Sequence, residues 1–176
     1  MLYRCLLLLS LCFFGLQCTD QDVVNVPDEV MGLAPVYEDD NTSEITTLAP
    51  QSIGQLGKIY YKDSIIFVGE INRGIHIIDN RNPAEPEPIA FLQITGNTDI
   101  SIKGNILYAN NVQDLVAIDI SDINDVRVLS RLPNVFPPPT TAPPEDYVGY
   151  FECVDPELGA VAYWEERMLQ SPECWR

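Results

Sequence analysis

Short apolar runs alternate with turn residues along most of the chain after Gln51. The runs are rich in Ile, Val, Tyr and Phe (KIYY, SIIFV, GIHIID, PIAFLQI, NILYAN, LVAIDI and VRVLSRL), and Gly, Asn, Asp and Pro separate them. None repeats an apolar position every three to four residues, as a helix would. β-Branched runs broken by turns roughly every eight to twelve residues are typical of antiparallel β-structure. The pattern therefore predicts an all-β fold.

Part of this pattern occurs twice. Residues 62–68 (KDSIIFV) align with residues 103–109 (KGNILYA) at an offset of 41. After a one-residue deletion, residues 75–79 (IHIID) align with residues 115–119 (LVAID) at an offset of 40. Each copy contains four strand-like runs, the first being KIYYK or DISIK. A period near 40 built from four antiparallel strands is typical of blades of a β-propeller, so we predict two blade-like repeats over residues 51–136, at about 57–96 and 97–136.

Residues 1–17 have the pattern of a signal peptide. Arg4 provides a positive start, and the apolar run CLLLLSLCFFGL follows. It is shorter than the roughly 20 residues that span a bilayer. It ends in GLQC, which is similar to a bacterial lipobox, although Gln17 stands where a small residue is usual. We expect export and lipid attachment at Cys18. Cleavage without lipid and an uncleaved anchor remain open alternatives.

The segments on either side of the repeats differ from them in composition. Residues 18–50 are acidic, and no Lys or Arg occurs between Cys18 and Lys58, which predicts a disordered tether. Within the tether, GLAPVY is a candidate for a short strand docked on the domain. Residues 137–176 begin with a run of prolines and are predicted to be an extended connector and a C-terminal tail. In that tail, residues 160–164 (AVAYW) are predicted to form one strand.

The net charge of −16, from 10 basic and 26 acidic residues, excludes two classes of partner. Nucleic acid and anionic lipid surfaces both require a basic patch. The expected membrane contact is therefore through a lipid anchor alone. Simple solubility explains the acidic balance equally well.

GIHIIDNRNP, residues 74–83, and LVAIDISDI resemble the LVIVD repeat of bacterial and archaeal cell-surface proteins. In that family the aspartate is commonly followed by a turn that ends in Pro. Asp79 and Pro83 keep this feature, whereas Ile123 stands in place of Pro in the second copy. With the lipoprotein-like signal, residues 35–136 resemble exported Bacteroidetes-type members. The resemblance implies a β-propeller at the outer membrane or cell surface, with no established catalytic residues.

Two repeats are fewer than the four to eight blades that usually close a propeller. Unclosed sheets leave edges that pair with other chains. Three explanations stay open: the N-terminal part of a larger propeller, which we favour; assembly with copies of the same chain or with further blades from another; or a small sandwich.

His76, the single histidine, is the first candidate for chemistry. Strand alternation places it on the face opposite Ile75 and Ile77. Its equivalent in the second repeat is Val116. We interpret it as a strand residue rather than a catalyst.

Asp79 and Asp119 occupy equivalent strand ends. A pair of carboxylates suggests acid–base work, but an Asp at a strand end also accepts hydrogen bonds from backbone N–H groups two residues on. We predict the structural turn role for Asp79, Pro83 and Asp119. Calcium binding by Asn72, Asp79 and Asn82 lacks an EF-hand spacing, and no metal or cofactor is predicted.

Cys153 and Cys174 are candidates for a disulfide in an exported chain, the alternative being two free thiols. Their spacing is not that of a zinc site. The sequence contains no G-x-S-x-G, S-x-x-K or H-E-x-x-H motif. GQLGKI fails as a phosphate loop because Ile59 stands where Ser or Thr holds the metal.

These observations favour a non-catalytic binding or interaction module with a protein or polysaccharide ligand. The alternative is a fragment of a propeller hydrolase or lyase that acts on extracellular polysaccharide. A truncated chain that keeps only the front of a larger protein, without function, is the third hypothesis.

Overall fold

The computed structural model describes residues 26–139 and 141–176, which form three β-sheets. The predicted signal peptide, Cys18 and the start of the tether lie outside these residues. The strands are β1 (Glu29–Tyr37), β2 (Thr46–Leu48), β3 (Leu56–Lys62), β4 (Ile65–Glu70), β5 (Gly74–Asp79), β6 (Glu87–Gln93), β7 (Ile100–Lys103), β8 (Ile106–Asn111), β9 (Asp114–Asp119), β10 (Arg127–Leu132), β11 (Tyr150–Phe151), β12 (Val161–Gln170) and β13 (Cys174–Trp175). A single turn of 3-10 helix, Pro156–Leu158, precedes β12. The predicted all-β, antiparallel class is confirmed.

Two of the sheets correspond to the two sequence repeats. In the first repeat sheet, β3 to β6 run antiparallel in chain order, and β2 adds to the outer edge of β6. In the second repeat sheet, β7 to β10 follow the same order. Ile65 pairs with Asp79, and its equivalent Ile106 pairs with Asp119. The one-residue deletion falls in the turn between the second and third strands of each sheet.

The repeat extends to the hydrogen bonds of the turns. The N–H of Ile71 donates to the carbonyl of Gln55 at 2.9 Å, and the N–H of Val112 donates to the carbonyl of Thr95 at 3.2 Å. Each bond joins the turn after the second strand to the segment that enters the first strand of the same sheet. The two sheets therefore share a backbone design as well as a sequence pattern.

The two repeat sheets pack face to face around one core. Its fully buried members alternate along the strands, as expected where only one face of a sheet is covered. They include Ile75, Ile77, Leu92, Leu107, Val116 and Ile118. The hydroxyl of Tyr60 on β3 donates to the carbonyl of Ile102 on β7 at 2.8 Å. The first strands of the two sheets therefore lie beside each other.

Buried asparagines hold the linker between the two repeat sheets. Asn110 Oδ1 accepts the N–H groups of Thr98 at 2.9 Å and Asp99 at 3.0 Å, and Asn110 Nδ2 donates to the carbonyl of Gly96 at 2.8 Å. Asn97 Nδ2 donates to the carbonyl of Asn110 at 3.1 Å. Because the two buried amides bind several backbone groups of the linker, the network fixes how the second sheet follows the first.

The prediction of a disordered tether over residues 18–50 is wrong from Glu29 onwards, where β1 and β2 form, and the candidate strand GLAPVY lies within β1. β1 pairs antiparallel with β12 over its whole length, from Glu29 opposite Gln170 to Tyr37 opposite Val161. β2 pairs with β6. The acidic segment is ordered because a distant strand supplies its partner and buries Ala34, which the local composition does not reveal.

The predicted C-terminal tail also differs from the structure. The strand predicted over residues 160–164 is the ten-residue β12, Val161–Gln170. The order of the C-terminal sheet is β12-β1-β11-β13, with β1 and β11 parallel and the other neighbours antiparallel. Residues 137–176 therefore close a third sheet with the N-terminal strand.

Candidate functional site

A cleft of about 630 Å³ lies between the first repeat sheet and the C-terminal sheet. One wall is the turn between β4 and β5, residues 70–73, together with Gly54 and Gln55. The other wall is the middle of β12, residues 163–166. A smaller pocket of about 160 Å³ shares Asn72, Arg73 and Tyr163 with this cleft. The residues that line this concave surface therefore include aromatic, guanidinium, amide and carboxylate types.

The turn that forms the first wall is fixed by backbone bonds. Asn72 has a φ of 66°, in the left-handed region that Asn tolerates better than most residues. Its N–H donates to the carbonyl of Asn97 at 2.7 Å, and its carbonyl accepts the N–H of Gly96 at 2.8 Å. The loop between the two repeat sheets therefore holds Asn72 and Arg73 at the cleft.

The aromatic wall comes from β12. Trp164 lies opposite Pro35 of β1, and its ring meets Phe151 edge-on with centroids 6.1 Å apart. The neighbouring Tyr163 is half-buried. Burial and the nearby carboxylate of Glu165 raise the pKa of Tyr163, although Arg73 acts in the opposite direction. Tyr163 therefore keeps its phenol proton at neutral pH and can donate a hydrogen bond.

The strand residue His76 forms a buried pair with Glu70 at the end of β4. Nε2 of His76 lies 3.0 Å from Oε2 of Glu70, and the imidazole packs against Phe91 at a centroid distance of 4.8 Å. The Glu70 carboxylate also accepts the N–H groups of Gly54 at 3.0 Å and Gln55 at 2.5 Å. The pair therefore anchors the segment that forms part of the cleft wall.

The environment of Glu70 favours its charged form. Burial acts to raise the pKa of Glu70, but the hydrogen bonds from Gly54, His76 and Gln55 together outweigh it and leave that pKa below its ordinary value. Sequence reasoning singled out His76 and missed Glu70. Its position in the repeat could have indicated its role, because Glu70 ends β4 as its equivalent Asn111 ends β8. Both side chains bind the segment that leads into the first strand of their own sheet.

Asp79 and Asp119 lie in separate sheets, each in a turn. Oδ1 of Asp79 accepts the N–H of Arg81 at 2.9 Å, and Oδ1 of Asp119 accepts the N–H of Ser121 at 2.9 Å. Side-chain and backbone hydrogen bonds from Arg81 lower the pKa of Asp79, and those from Ser121 lower the pKa of Asp119. The two carboxylates do not form a pair. Pro83 lies in the exposed turn after Asp79.

The three residues considered for calcium are not brought together. Asn72 precedes β5, whereas Asp79 ends it and Asn82 follows it. The length of this six-residue strand, roughly 20 Å, therefore separates Asn72 from Asp79 and Asn82. Oδ1 of Asn82 instead accepts the N–H of Ala84 at 3.3 Å. Among residues 26–139 and 141–176, no group of three or more His, Cys, Asp and Glu side chains is placed to hold a metal ion.

Cys153 and Cys174 are joined by a disulfide, with their Cα atoms 5.4 Å apart. This separation lies within the usual range for a disulfide. The bond joins the segment after β11 to the start of β13 at the edge of the C-terminal sheet, and neither cysteine lines the cleft.

In the part of the chain that the structure describes, no helix has the length and apolar character needed to cross a membrane. Comparisons with models of protein families, with curated proteins and with solved structures found no match to this chain. These comparisons therefore identify no family for this chain, and they give no match to the LVIVD-repeat family.

Proposed function

We propose that this chain is an exported, lipid-anchored binding module of the LVIVD-repeat type, displayed at the outer membrane or cell surface, and that its cleft binds an uncharged polysaccharide. The observation that carries the proposal is the cleft between the first repeat sheet and the C-terminal sheet, with its aromatic and polar lining. The signal-like N-terminus supports export and lipid attachment, and the repeated sheets support the LVIVD-repeat type.

The arrangement of the two repeat sheets supports a propeller-type architecture. The four repeat strands of each sheet form an antiparallel meander in chain order, and the linker leads from the last strand of the first meander to the first strand of the second. The first strands of both sheets are neighbours, and one core lies between the sheets. Blades of a propeller follow one another in this way around a central axis.

The lining of the cleft favours a carbohydrate over a protein ligand. Tyr163 and Trp164 are successive residues of β12 whose side chains leave opposite faces, so each ring offers its own flat apolar surface, with few rotatable bonds, to a sugar ring. Asn72, Arg73 and Glu165 supply donors and acceptors for hydroxyl groups. The strongly acidic chain repels polyanions, so an uncharged polysaccharide fits best.

Two features support binding rather than cleavage. Glycoside hydrolases usually place two carboxyl groups across one bond, whereas Glu165 and Glu166 are successive residues of a strand whose side chains leave opposite faces. The buried His76 is held by Glu70 and Phe91, so a ligand in the cleft does not reach the imidazole.

Replacement of Trp164 by Ala is expected to weaken glycan binding by at least about tenfold, equivalent to about 1.4 kcal/mol. The probe is an array of neutral glycans, followed by titration calorimetry on the strongest binder. Trp175→Ala is the matched control, because Trp175 lies in β13 and does not line the cleft. Equal loss in both variants, silence of the array, binding to a protein array alone, or release of new reducing ends would each contradict the proposal.

Replacement of Cys18 by Ala is expected to abolish incorporation of labelled palmitate and to move the protein from the membrane fraction to the soluble exported fraction. The reason is that Cys18 is the proposed site of lipid attachment. Cys153→Ala is the control and should keep the label. An unlabelled wild-type chain would exclude the lipid anchor without bearing on the cleft.

A further inference from the structure

The outward faces of the two repeat sheets are related by the same repeat that relates their strands. The tail face is the face of the second repeat sheet that points away from the first, formed by Tyr108, Leu115, Ala117 and Leu132. The head face is the face of the first repeat sheet that points away from the second, formed by Ile59, Tyr61, Ile66 and Ile78. Both contain apolar residues on a sheet with no repeat sheet packed against it.

The tail face repeats a surface that is buried elsewhere in the molecule. Its positions are equivalent to Phe67, Ile75, Ile77 and Leu92, which the second repeat sheet covers. Leu92 is 0% exposed, whereas its equivalent Leu132 is 54% exposed. The tail face is therefore less covered than the equivalent surface of the first repeat sheet: Tyr108, Leu115 and Ala117 are half-buried, and Phe136 lies beside Tyr108 and Leu115.

The head face repeats the opposite side of the same interface. Ile100 and Ile102 of β7 are 7% and 6% exposed because they pack against the first repeat sheet. Their equivalents on β3, Ile59 and Tyr61, are 66% and 61% exposed. The open part of the head face runs along β3, since His76 and its neighbours nearer β6 are already buried.

The segments that follow the last strand of each repeat sheet make equivalent backbone hydrogen bonds. The N–H of Gly96 donates to the carbonyl of Asn72 at 2.8 Å, and the N–H of Phe136 donates to the carbonyl of Gln113 at 2.9 Å. After Gly96 the chain enters β7, which covers the first sheet. After Phe136 it enters the proline run instead, and the next strand, β11, belongs to the C-terminal sheet.

A pair of opposite charges lies beside the interface between the two repeat sheets, one charge on the first strand of each sheet. Lys58 Nζ lies 2.6 Å from Asp99 Oδ2 across the two first strands. Lys58 and Asp99 are equivalent positions of the repeat, at an offset of 41. A further sheet that begins with a Lys58 would meet Asp99 with the same complementary charge, and a second copy of this chain supplies such a sheet.

From these relations we infer that the chain associates head to tail with a second copy of itself, the head face of one copy packing on the tail face of the next. The contact reproduces the interface between the two repeat sheets inside each chain. It is heterologous, because different faces meet, so an open assembly keeps one free head and one free tail until a ring closes. This inference does not depend on the ligand in the cleft.

The test uses complementation between two blocked faces. Leu132→Glu places a charge on the tail face, and Tyr61→Glu places one on the head face. Both residues are exposed in the single chain, so the variants are expected to fold, which circular dichroism checks. The purified chains carry Cys18→Ala so that lipid does not drive association, and sedimentation velocity measures their mass across a range of concentrations.

The parent chain, with both faces unaltered, is expected to form species of two or more chains. Each blocked variant alone is expected to stay a monomer at the same concentrations. An equimolar mixture of the two variants should give a dimer and nothing larger, because one intact head meets one intact tail. Leu158→Glu, at a similarly exposed residue of the 3-10 helix, should associate like the parent. A parent that stays monomeric, a mixture that stays monomeric, or equal loss in Leu158→Glu would overturn the inference.

Discussion

Replacement of Glu70 by Ala is expected to lower the free energy of unfolding by about 3 kcal/mol, the size seen when a buried pair loses one partner. The substitution removes the acceptor for His76 and for the N–H groups of Gly54 and Gln55, and it leaves the imidazole among apolar groups. Urea unfolding measures the change. Glu173→Ala, at an exposed position, is the control and should change stability by less than about 0.5 kcal/mol.

The same residue predicts how stability depends on pH. The pKa of Glu70 in the folded chain lies below the ordinary 4.5, so the unfolded chain binds this proton more readily. The contribution of Glu70 is therefore complete above that ordinary value and is lost as the pH falls through the folded pKa. Glu70→Gln should lose less stability than the wild type between neutral pH and the acid range. Equally steep acid limbs in the two proteins would refute this role.

Replacement of both Cys153 and Cys174 by Ser is expected to cost about 3 kcal/mol, because the disulfide closes a sequence separation of 21 residues. The two strands that it holds together, β11 and β13, have two residues each, and both residues are paired. Without the bond, only this short pairing and the backbone hydrogen bonds between Gly149 and Arg176 keep β13 on the sheet edge. Thermal unfolding and amide hydrogen exchange measure the loss.

The exchange pattern distinguishes local from global effects. Protection should fall at Tyr150, Phe151 and Trp175, while the amides of the two repeat sheets should keep theirs. The matched control is the wild type with a reductant, which should reproduce the loss, whereas the reductant should leave the double Ser variant unchanged. Equal thermal midpoints of the oxidised wild type and the double variant would mean that the bond does not stabilise the fold.

The repeat sheets could be predicted because their information is local. The strands of each sheet follow one another in the sequence, so alternation within 62–79 and 103–119 already indicates the meander. Equivalent turn hydrogen bonds, such as those at Asp79 and Asp119, also depend on residues only two positions apart. Local alternation and turn chemistry were sufficient for this part of the fold.

The C-terminal sheet and the cleft depend on pairing between distant residues. β1 is predicted only in part, as the candidate strand GLAPVY, because its partner β12 lies far along the chain. The cleft forms only once that pairing brings Trp164 near Arg73. The role of Glu70 also depends on distant residues, because it accepts hydrogen bonds from N–H groups that lie 15 and 16 positions earlier in the sequence.

The pairing of β1 with β12 also determines when the C-terminal sheet can form during synthesis. The side chain of Gln170 donates to that of Glu29 across 141 positions of sequence. At roughly 5–20 residues per second, β1 waits on the order of ten to thirty seconds for its partner. Each repeat sheet can form as soon as its own strands have been made. A chain that folds in this order therefore has formed repeats and an unpaired first strand until β12 is available, which is the interval in which aggregation or assistance by a chaperone would act.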